Sequence, residues 1–456
     1  MRLRRIMIVA PKSGSGKTTI TCALLQTLKG RDQQVVSYKC GPDYIDPIFH
    51  KNVIDVPSKN LDTFFTGEEE TKALFLKDRT EKDFAVLEGV MGMYDGLGGV
   101  REEGSSYHLA KITKTPIILV VDTKGMGRSV ISLIAGFLTY DTEHLMKGVI
   151  LNRISKSYYE MIKPMIEKEL DVSVLGYLED RKCFHIESRH LGLRIPDETN
   201  HVKTLLRSIS DEFQKTVSVN KIIEIAETAQ EFEYKNAIAQ NKEDDRHTPI
   251  IAVAKDEAFC FYYEDNLLML REYGARLEYF SPLHDKKLPD GCSGLLIGGG
   301  YPELHAEALS ANKEMHREIR NAWENDMPMV AECGGFMYLH AAIIDKEGKS
   351  HAMVGILPDV CYDKGKLVRF GYIELEENNS HFLPKHEKIK GHEFHYFDSE
   401  NNGSDCIAYK PVTHKTYFCV MCDKNYWIGF PHLYYPSNPA FVKSFVDKVK
   451  RYRDAQ

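Results

Sequence analysis

The sequence predicts an α/β protein with two parallel-sheet domains in one chain. Three observations carry that reading. Near the start, an apolar run at residues 7–10 gives way to a loop of small residues at 11–16, and helical periodicity follows at 19–28. Beyond it, apolar runs at 34–39, 83–87, 117–121, 148–151 and 174–178 alternate with amphipathic stretches, the pattern of a parallel sheet covered on both faces. After the polar run 240–246 and Pro249, apolar patterning restarts at 250–254 and meets a second strand–turn–helix pattern at 329–339. The resulting boundaries are 1–196 for a first domain, 197–247 for a helical segment and linker, and 248–456 for a second domain.

At 456 residues the chain has room for two to four domains of ~100–200 residues each. A net charge of −7 is mild and argues against a nucleic-acid surface. No apolar run reaches the ~18 residues of a membrane span. The basic start, Met1-Arg2-Leu3-Arg4-Arg5, leads into a strand rather than a cleavable signal. Ten scattered cysteines show no repeating framework and suit reduced thiols, so the chain reads as cytoplasmic.

The loop between the first strand and the first helix has the composition of a phosphate cradle. Glycines let backbone N–H groups converge on an anion, and the helix start adds its partial positive charge. Ser13, Gly14, Ser15 and Gly16 would line the cradle, and Lys17 would reach the outer phosphates of a nucleotide. Thr18 and Thr19 would open the helix, with the Thr18 hydroxyl on Mg2+. Pro11 stands where the motif has its first glycine, and Lys12 stands where dimeric ATPases with variant loops place a second lysine.

Ligands of such sheets bind at the carboxyl ends of the strands, where Lys17, Asp43, Glu88 and Asn152 all fall. Glu88 closes an apolar strand, the place from which an acid orients Mg2+ or its water. Asp43 and Asp46, in the Gly/Pro loop after the second strand, suit the same hard cation or else cap a turn. Asp62 and Asp95 add carboxylates in further loops. Arg189, in Arg189-His190-Leu191-Gly192-Leu193, reads as a carboxylate clamp or as a solvated side chain.

In the second domain an apolar strand stops at Cys333, glycines follow, and a helical pattern resumes. A tight strand-to-helix turn exposes one side chain, and the N–H groups after it can hold an oxyanion. A helix start also lowers a thiol's pKa. Cys333 is thus a candidate nucleophile, His432 a candidate general base, and Gly334 with Gly299 and Gly300 candidate oxyanion positions. The competing reading is an inert buried cysteine beside a satisfied histidine. Gly391-His392-Glu393-Phe394-His395 lacks the spacing of a zinc-protease helix; on a strand, His392 and Phe394 face one way and Glu393 and His395 the other. Cys419 and Cys422 form a lone C-x-x-C within an apolar alternation, which argues against a metal or redox role.

Together these stretches resemble the cobyrinate a,c-diamide synthases, glutamine-dependent amidases of corrinoid biosynthesis. The resemblance runs nearly end to end: the loop through Lys17, Gly41-Pro42-Asp43-Tyr44-Ile45-Asp46-Pro47, Glu88-Gly89-Val90-Met91-Gly92 with Tyr94-Asp95-Gly96, and Arg189-His190-Leu191-Gly192-Leu193. It continues through Asp256-Glu257-Ala258-Phe259, Gly298-Gly299-Gly300-Tyr301-Pro302-Glu303, Ala331-Glu332-Cys333-Gly334-Gly335 and Gly391-His392-Glu393-Phe394-His395.

That resemblance implies a dethiobiotin-synthetase-like, P-loop ATP domain joined to a class I glutamine amidotransferase domain. ATP and Mg2+ are then the cofactors, and cobyrinate and glutamine the substrates. Cys333 and His432 release ammonia, which displaces phosphate from an activated carboxylate. Gly299, Gly300 and Gly334 serve the glutamine site. Many class I glutaminases carry Glu two residues after the histidine; here Tyr434 implies a Cys–His pair, with Glu393 one candidate to orient His432. Close relatives act on nickel sirohydrochlorin or hydrogenobyrinate, and a homodimer is compatible without Lys12 arguing for one. Pro11, Lys12 and Lys17 also motivate a reading of another class, a partition-type ATPase switch.

Overall fold

The computed structural model describes residues 3–181, 196–231 and 248–456. The Arg189 stretch and the polar run 240–246 lie outside them. The chain divides into two units, Met1–Ala237 and Ile238–Gln456.

The strands of the first unit are β1 (Arg4–Val9), β2 (Gln34–Cys40), β3 (Ser58–Leu61), β4 (Asp83–Glu88), β5 (Ile117–Asp122), β6 (Met146–Asn152) and β7 (Ser173–Leu178). They form one sheet in the order β3-β2-β4-β1-β5-β6-β7, and every neighbouring pair is parallel. The interior strands are continuous apolar runs because helices cover both faces. From β1 the chain moves outward through β2 and β3, then returns to β4 and crosses to β5. The loop after β1 therefore opens where the winding reverses, the usual ligand crevice of such sheets. β3 has no counterpart in the apolar pattern, since three of its four residues are Ser58, Lys59 and Asn60; it is an edge strand held by pairing with β2.

Helices Pro196–Thr216 and Val219–Glu227 belong to the first unit. Leu206, Ile209, Phe213, Val217, Val219, Ile222 and Ala226 share a buried core with Ile6, Ile8, Ile20 and Leu24. The stretch whose composition reads as a helical segment before a linker is thus a cover of the first sheet.

The second unit contains β8 (Ile250–Ala254), β9 (Phe259–Phe261), β10 (Arg276–Phe280), β11 (Cys292–Ile297), β12 (Gly299–Gly300) and β13 (Met329–Glu332). The strands β10, β8, β11 and β13 lie side by side in that order, continued by Tyr426–Gly429 and Met421–Asp423. All pairs are parallel except the final hairpin. A second, five-stranded antiparallel sheet runs Thr416–Cys419, Cys406–Tyr409, Arg369–Glu377, Lys388–His395, His432–Leu433. Every described cysteine is a free thiol. Cys419 opposes Cys406 across a strand pair, and the Cys422 thiol donates to Glu377 at 3.6 Å. No helix of the described residues is long and apolar enough to cross a membrane.

Candidate active sites

The phosphate loop joins β1 to helix α1 (Lys17–Lys29). Gly16 has φ 96°, and an added Cβ would stand 2.2 Å from Asn152 Nδ2. Only glycine allows that approach. Asn152, at the end of β6, donates to Ser15 O at 2.9 Å and fixes the loop from the side. Ser15 Oγ donates to Lys12 O at 3.0 Å, while Ser13 and Gly14 are exposed. The buried Lys17 ammonium donates to the carbonyls of Met91 and Lys12. The loop 89–96 is stitched beside it, with Gly89 N donating to Ile8 O and Met93 N to Ala10 O. Burial first, and the neighbouring Lys39 second, pull the Lys17 pKa down to about 8.

Next to the loop is a buried charge network. Glu88 lies in register with Ile8 on one side and Lys39 on the other. Its Oε1 accepts from Thr18 Oγ1 at 2.7 Å and from Lys39 Nζ at 3.0 Å, and its Oε2 is 3.4 Å from His50 Nε2. The other ring nitrogen of His50 shares a hydrogen bond of 2.9 Å with Ser37 Oγ. Lys39 also donates to Asp46 and stands 3.8 Å from Asp43. Burial pushes the Glu88 carboxyl up, yet Lys39 with His50 and Thr18 outweighs it and holds Glu88 well below the usual carboxylate range. Asp46 moves the opposite way, raised by burial and then by Glu88.

The structure thus gathers Lys17, Thr18, Asp43, Asp46 and Glu88 from the sequence candidates. Asp43 caps its turn, Oδ1 accepting from the amides of Ile45 and Asp46 at 2.8 and 3.4 Å, while Oδ2 faces Lys39 at 3.8 Å. Asp62 is a buried turn cap that accepts from the amides of Phe64 and Phe65. Asp95 caps the loop beside Lys17, accepting from Gly92 N at 2.9 Å. Among the described residues, no three His, Cys, Asp or Glu side chains converge as a metal cluster. Sequence reasoning passed over Lys39 and His50; a lysine inside the buried run of β2 was the available signal.

In the second unit Cys333 sits between β13 and the short helix Gly334–Leu339, with φ 48° and ψ −102°. A non-glycine residue at positive φ is a strained conformation that the surroundings impose. Cys333 N donates to Gly429 O at 2.8 Å, and Gly335 N donates to Gly298 O at 3.0 Å. The Gly335 amide is therefore committed, and the Gly334 amide is directed at the thiol. An added Cβ on Gly334 would come within 3.1 Å of Gly300 N, so the Gly298–Gly300 loop lies directly against the turn. Tyr262 pins that loop, accepting from Gly298 N at 2.8 Å and donating to Ala254 O.

The imidazole of His432 closes over the same loop: an added Cβ on Gly299 would meet His432 Cε1 at 2.4 Å. Cys333, His432, Gly299, Gly300 and Gly334 are thus grouped around one turn. His392 is the register partner of His432 and stacks on it at 4.9 Å with planes 15° apart. A 3.1 Å hydrogen bond joins His392 Nδ1 to Tyr263 Oη. Glu393 faces away, among Arg369, Lys410 and Tyr417. The Tyr434 hydroxyl donates to Asp265 at 3.1 Å.

Burial sets the protonation states here. It pushes His432 down to about 3, with His395 adding to it. It pushes the Cys333 thiol far up, with Glu303 as the next cause. The helix start does not acidify the thiol, because one six-residue helix does not offset complete burial. The resting pair is a neutral thiol beside a neutral imidazole. Two acids flank it, the half-buried Glu303 raised to about 7 and the buried Glu332 to about 8, both by desolvation.

Residues 6–193 match the model of the CobQ/CobB/MinD/ParA nucleotide binding domain, and residues 250–435 match that of the CobB/CobQ-like glutamine amidotransferase domain. The chain is therefore a nucleotide-binding glutamine amidotransferase. A cobyrinate a,c-diamide synthase of Caldanaerobacter subterraneus subsp. tengcongensis is 39% identical over 98% of this chain and 99% of that relative. Proteins of the same name from Clostridium acetobutylicum and Dehalococcoides mccartyi are 39% and 37% identical over 97% and 98% of this chain, covering 100% and 98% of their own lengths. The chain belongs to the cobyrinate a,c-diamide synthase family.

Proposed function

We propose that the protein converts the a- and c-acetate side chains of cobyrinate into amides, in the cytoplasm, with ATP and with ammonia drawn from glutamine. One observation carries this reading: a phosphate loop holding Lys17 and a thiol turn holding Cys333 and His432 occur in a single chain. A carboxylate is a poor electrophile. Transfer of the γ-phosphoryl group of ATP to it forms an acyl phosphate, and ammonia displaces phosphate to leave the amide. Ammonium is no nucleophile, so the nitrogen has to arrive as ammonia, shielded from water.

In the second unit, His432 takes the Cys333 proton as sulfur attacks the glutamine amide. The amide nitrogen leaves with a proton as ammonia, and water hydrolyses the thioester to glutamate. The Gly299–Gly300 loop and the Gly334 amide supply the donors next to that carbon. His392 holds the imidazole face.

In the first unit, Lys17 exchanges two backbone carbonyls for phosphate oxygens. The donor set beside it fits Mg2+, since Thr18 Oγ1 and Glu88 Oε1 are hard oxygens 2.7 Å apart. Those two residues would hold the ion, which would neutralise phosphate charge. Lys39 keeps Glu88 ionised until then.

Mass spectrometry of products from cobyrinate, ATP, Mg2+ and glutamine tests the reading. It requires two sequential amidations of cobyrinate in preference to nickel sirohydrochlorin or hydrogenobyrinate. Cys333→Ala is expected to lose glutamine-supported turnover by ~10³-fold or more while ammonia still serves. Glutamine use by that variant would refute the assignment.

A further inference from the structure

Two neighbouring parallel strands carry the reacting pair, and one side chain ties them together. β13 runs into Cys333, while Tyr426–Gly429 leads through Phe430 and Pro431 to His432, with Glu332 in register with Gly429. The tie ahead of the base is the bond from Cys333 N to Gly429 O at 2.8 Å. The tie behind it is made by a side chain: the Leu433 amide is directed at the Glu332 carboxyl. Tyr434 N donates to Lys390 O at 2.9 Å, so alternation turns the preceding amide, Leu433 N, away from that strand. From the other direction, Asn266 Nδ2 donates to Leu433 O and Asn266 Oδ1 accepts from Tyr435 N, both at 2.8 Å.

Packing alone would not select an acid here. Alternation along β13 puts Glu332 on the face of Val330, and Val330 shares an apolar core with Trp427, Leu433 and Tyr435. Glu332 is 5% exposed, and among the described residues its Oε1 has no hydrogen-bond partner. A half-paired acid in such a core is costly, whereas an apolar side chain of similar length would fill the space without that penalty. What the acid adds is an acceptor within reach of the residue next to the base.

We propose that Glu332 is a positioning residue of the glutaminase reaction, holding the Leu433 amide so that His432 stays within proton-transfer reach of Cys333. The inference rests on the glutaminase reading above and adds what fixes the base against its thiol. Proton transfer and attack on the amide depend steeply on that separation, and a shift of about 1 Å lowers such rates up to ~10²-fold.

Glutamate release and ammonia-supported amidation, measured side by side on the full-length protein, test it. Glu332→Met removes the acceptor and is expected to lower kcat for glutamine hydrolysis about 10–100-fold, with the glutamine KM and ammonia-supported turnover within about threefold of native. Glu332→Asp keeps an acid but draws it back by one methylene, and it shares the loss. Glu332→Gln keeps the reach and a carbonyl acceptor, matching the protonated acid that burial favours, and it restores kcat to within about threefold of native. Native kcat in both the Met and Asp variants overturns the proposal. A Gln variant as slow as the Met variant also overturns it, as does equal loss of ammonia-supported turnover in all three, which marks a role in folding only. Wild-type protein that hydrolyses no glutamine overturns the functional reading and this inference together, whereas active wild type with unaffected variants overturns this inference alone.

Discussion

The two sites solve the problem of buried chemistry in opposite ways. Around the phosphate loop, buried charges answer buried charges: Lys39 sits among Glu88, Asp46 and Asp43, and His50 stands against the second oxygen of Glu88. Around Cys333 charge is removed instead, and burial leaves the thiol, the imidazole and Glu332 neutral. The first arrangement suits a ligand that brings several negative charges and a cation. The second suits a neutral amide whose charge develops only in the transition state, where fixed donors in a water-poor site have most effect. The lesson is that the charge of the ligand dictates the charge economy of its pocket.

That contrast is open to attack from either side. The largest effect is expected at Lys39. Lys39→Met strands two ionisable acids in the interior and should cost about 3–5 kcal/mol, a loss of roughly 10 °C in the melting of the first unit by calorimetry. An unchanged melt would mean that the network is not held by opposite charge. Lys17→Ala comes next. Amidation should fall about 10²–10³-fold with either nitrogen source, while hydrolysis of glutamine, measured as glutamate release, persists.

The third test turns on acid–base linkage at Glu332. Its folded pKa of about 8 exceeds the ordinary glutamate value of 4.5 that the unfolded chain keeps, so between those values the folded state holds a proton that the unfolded state lacks. Stability therefore declines as pH rises through this window, by at most about 1.4 kcal/mol per pH unit from this group. Glu332→Gln should flatten the drop in melting temperature between pH 6 and 8; a drop equal to wild type would remove the neutral acid from the comparison. The smallest effect belongs to Tyr434→Phe, which deletes the hydroxyl bonded to Asp265 and should cost about 1 kcal/mol of stability with kcat for glutamine hydrolysis nearly native. A large loss of kcat would give Tyr434 the part that a carboxylate plays two residues after the histidine in other glutaminases.

How much of this was legible beforehand varies with the kind of signal. Local patterns were readable: the apolar runs that became β1, β4, β5 and β6, the small-residue loop before Lys17, and the turn at Cys333 each rest on a few adjacent residues. The alternation at 391–395 also predicted correctly that His392 and Glu393 part company. What escaped depends on residues distant in sequence. His50 reads as a lone histidine until the fold sets it against Glu88, and Asp62 looks like a ligand until its carboxylate is seen capping the turn at Phe64. β3 escaped because an edge strand draws its stability from its neighbour rather than from its own composition.

The helices that follow residue 196 carry a practical consequence for anyone dividing this gene. A cut at that point would peel Leu206, Phe213 and Ile222 from the sheet and leave Ile6 and Ile8 without part of their cover. The product would be a sticky half-molecule. Severing the chain beyond residue 231 keeps that lid attached, so a functional two-piece synthase is to be sought there.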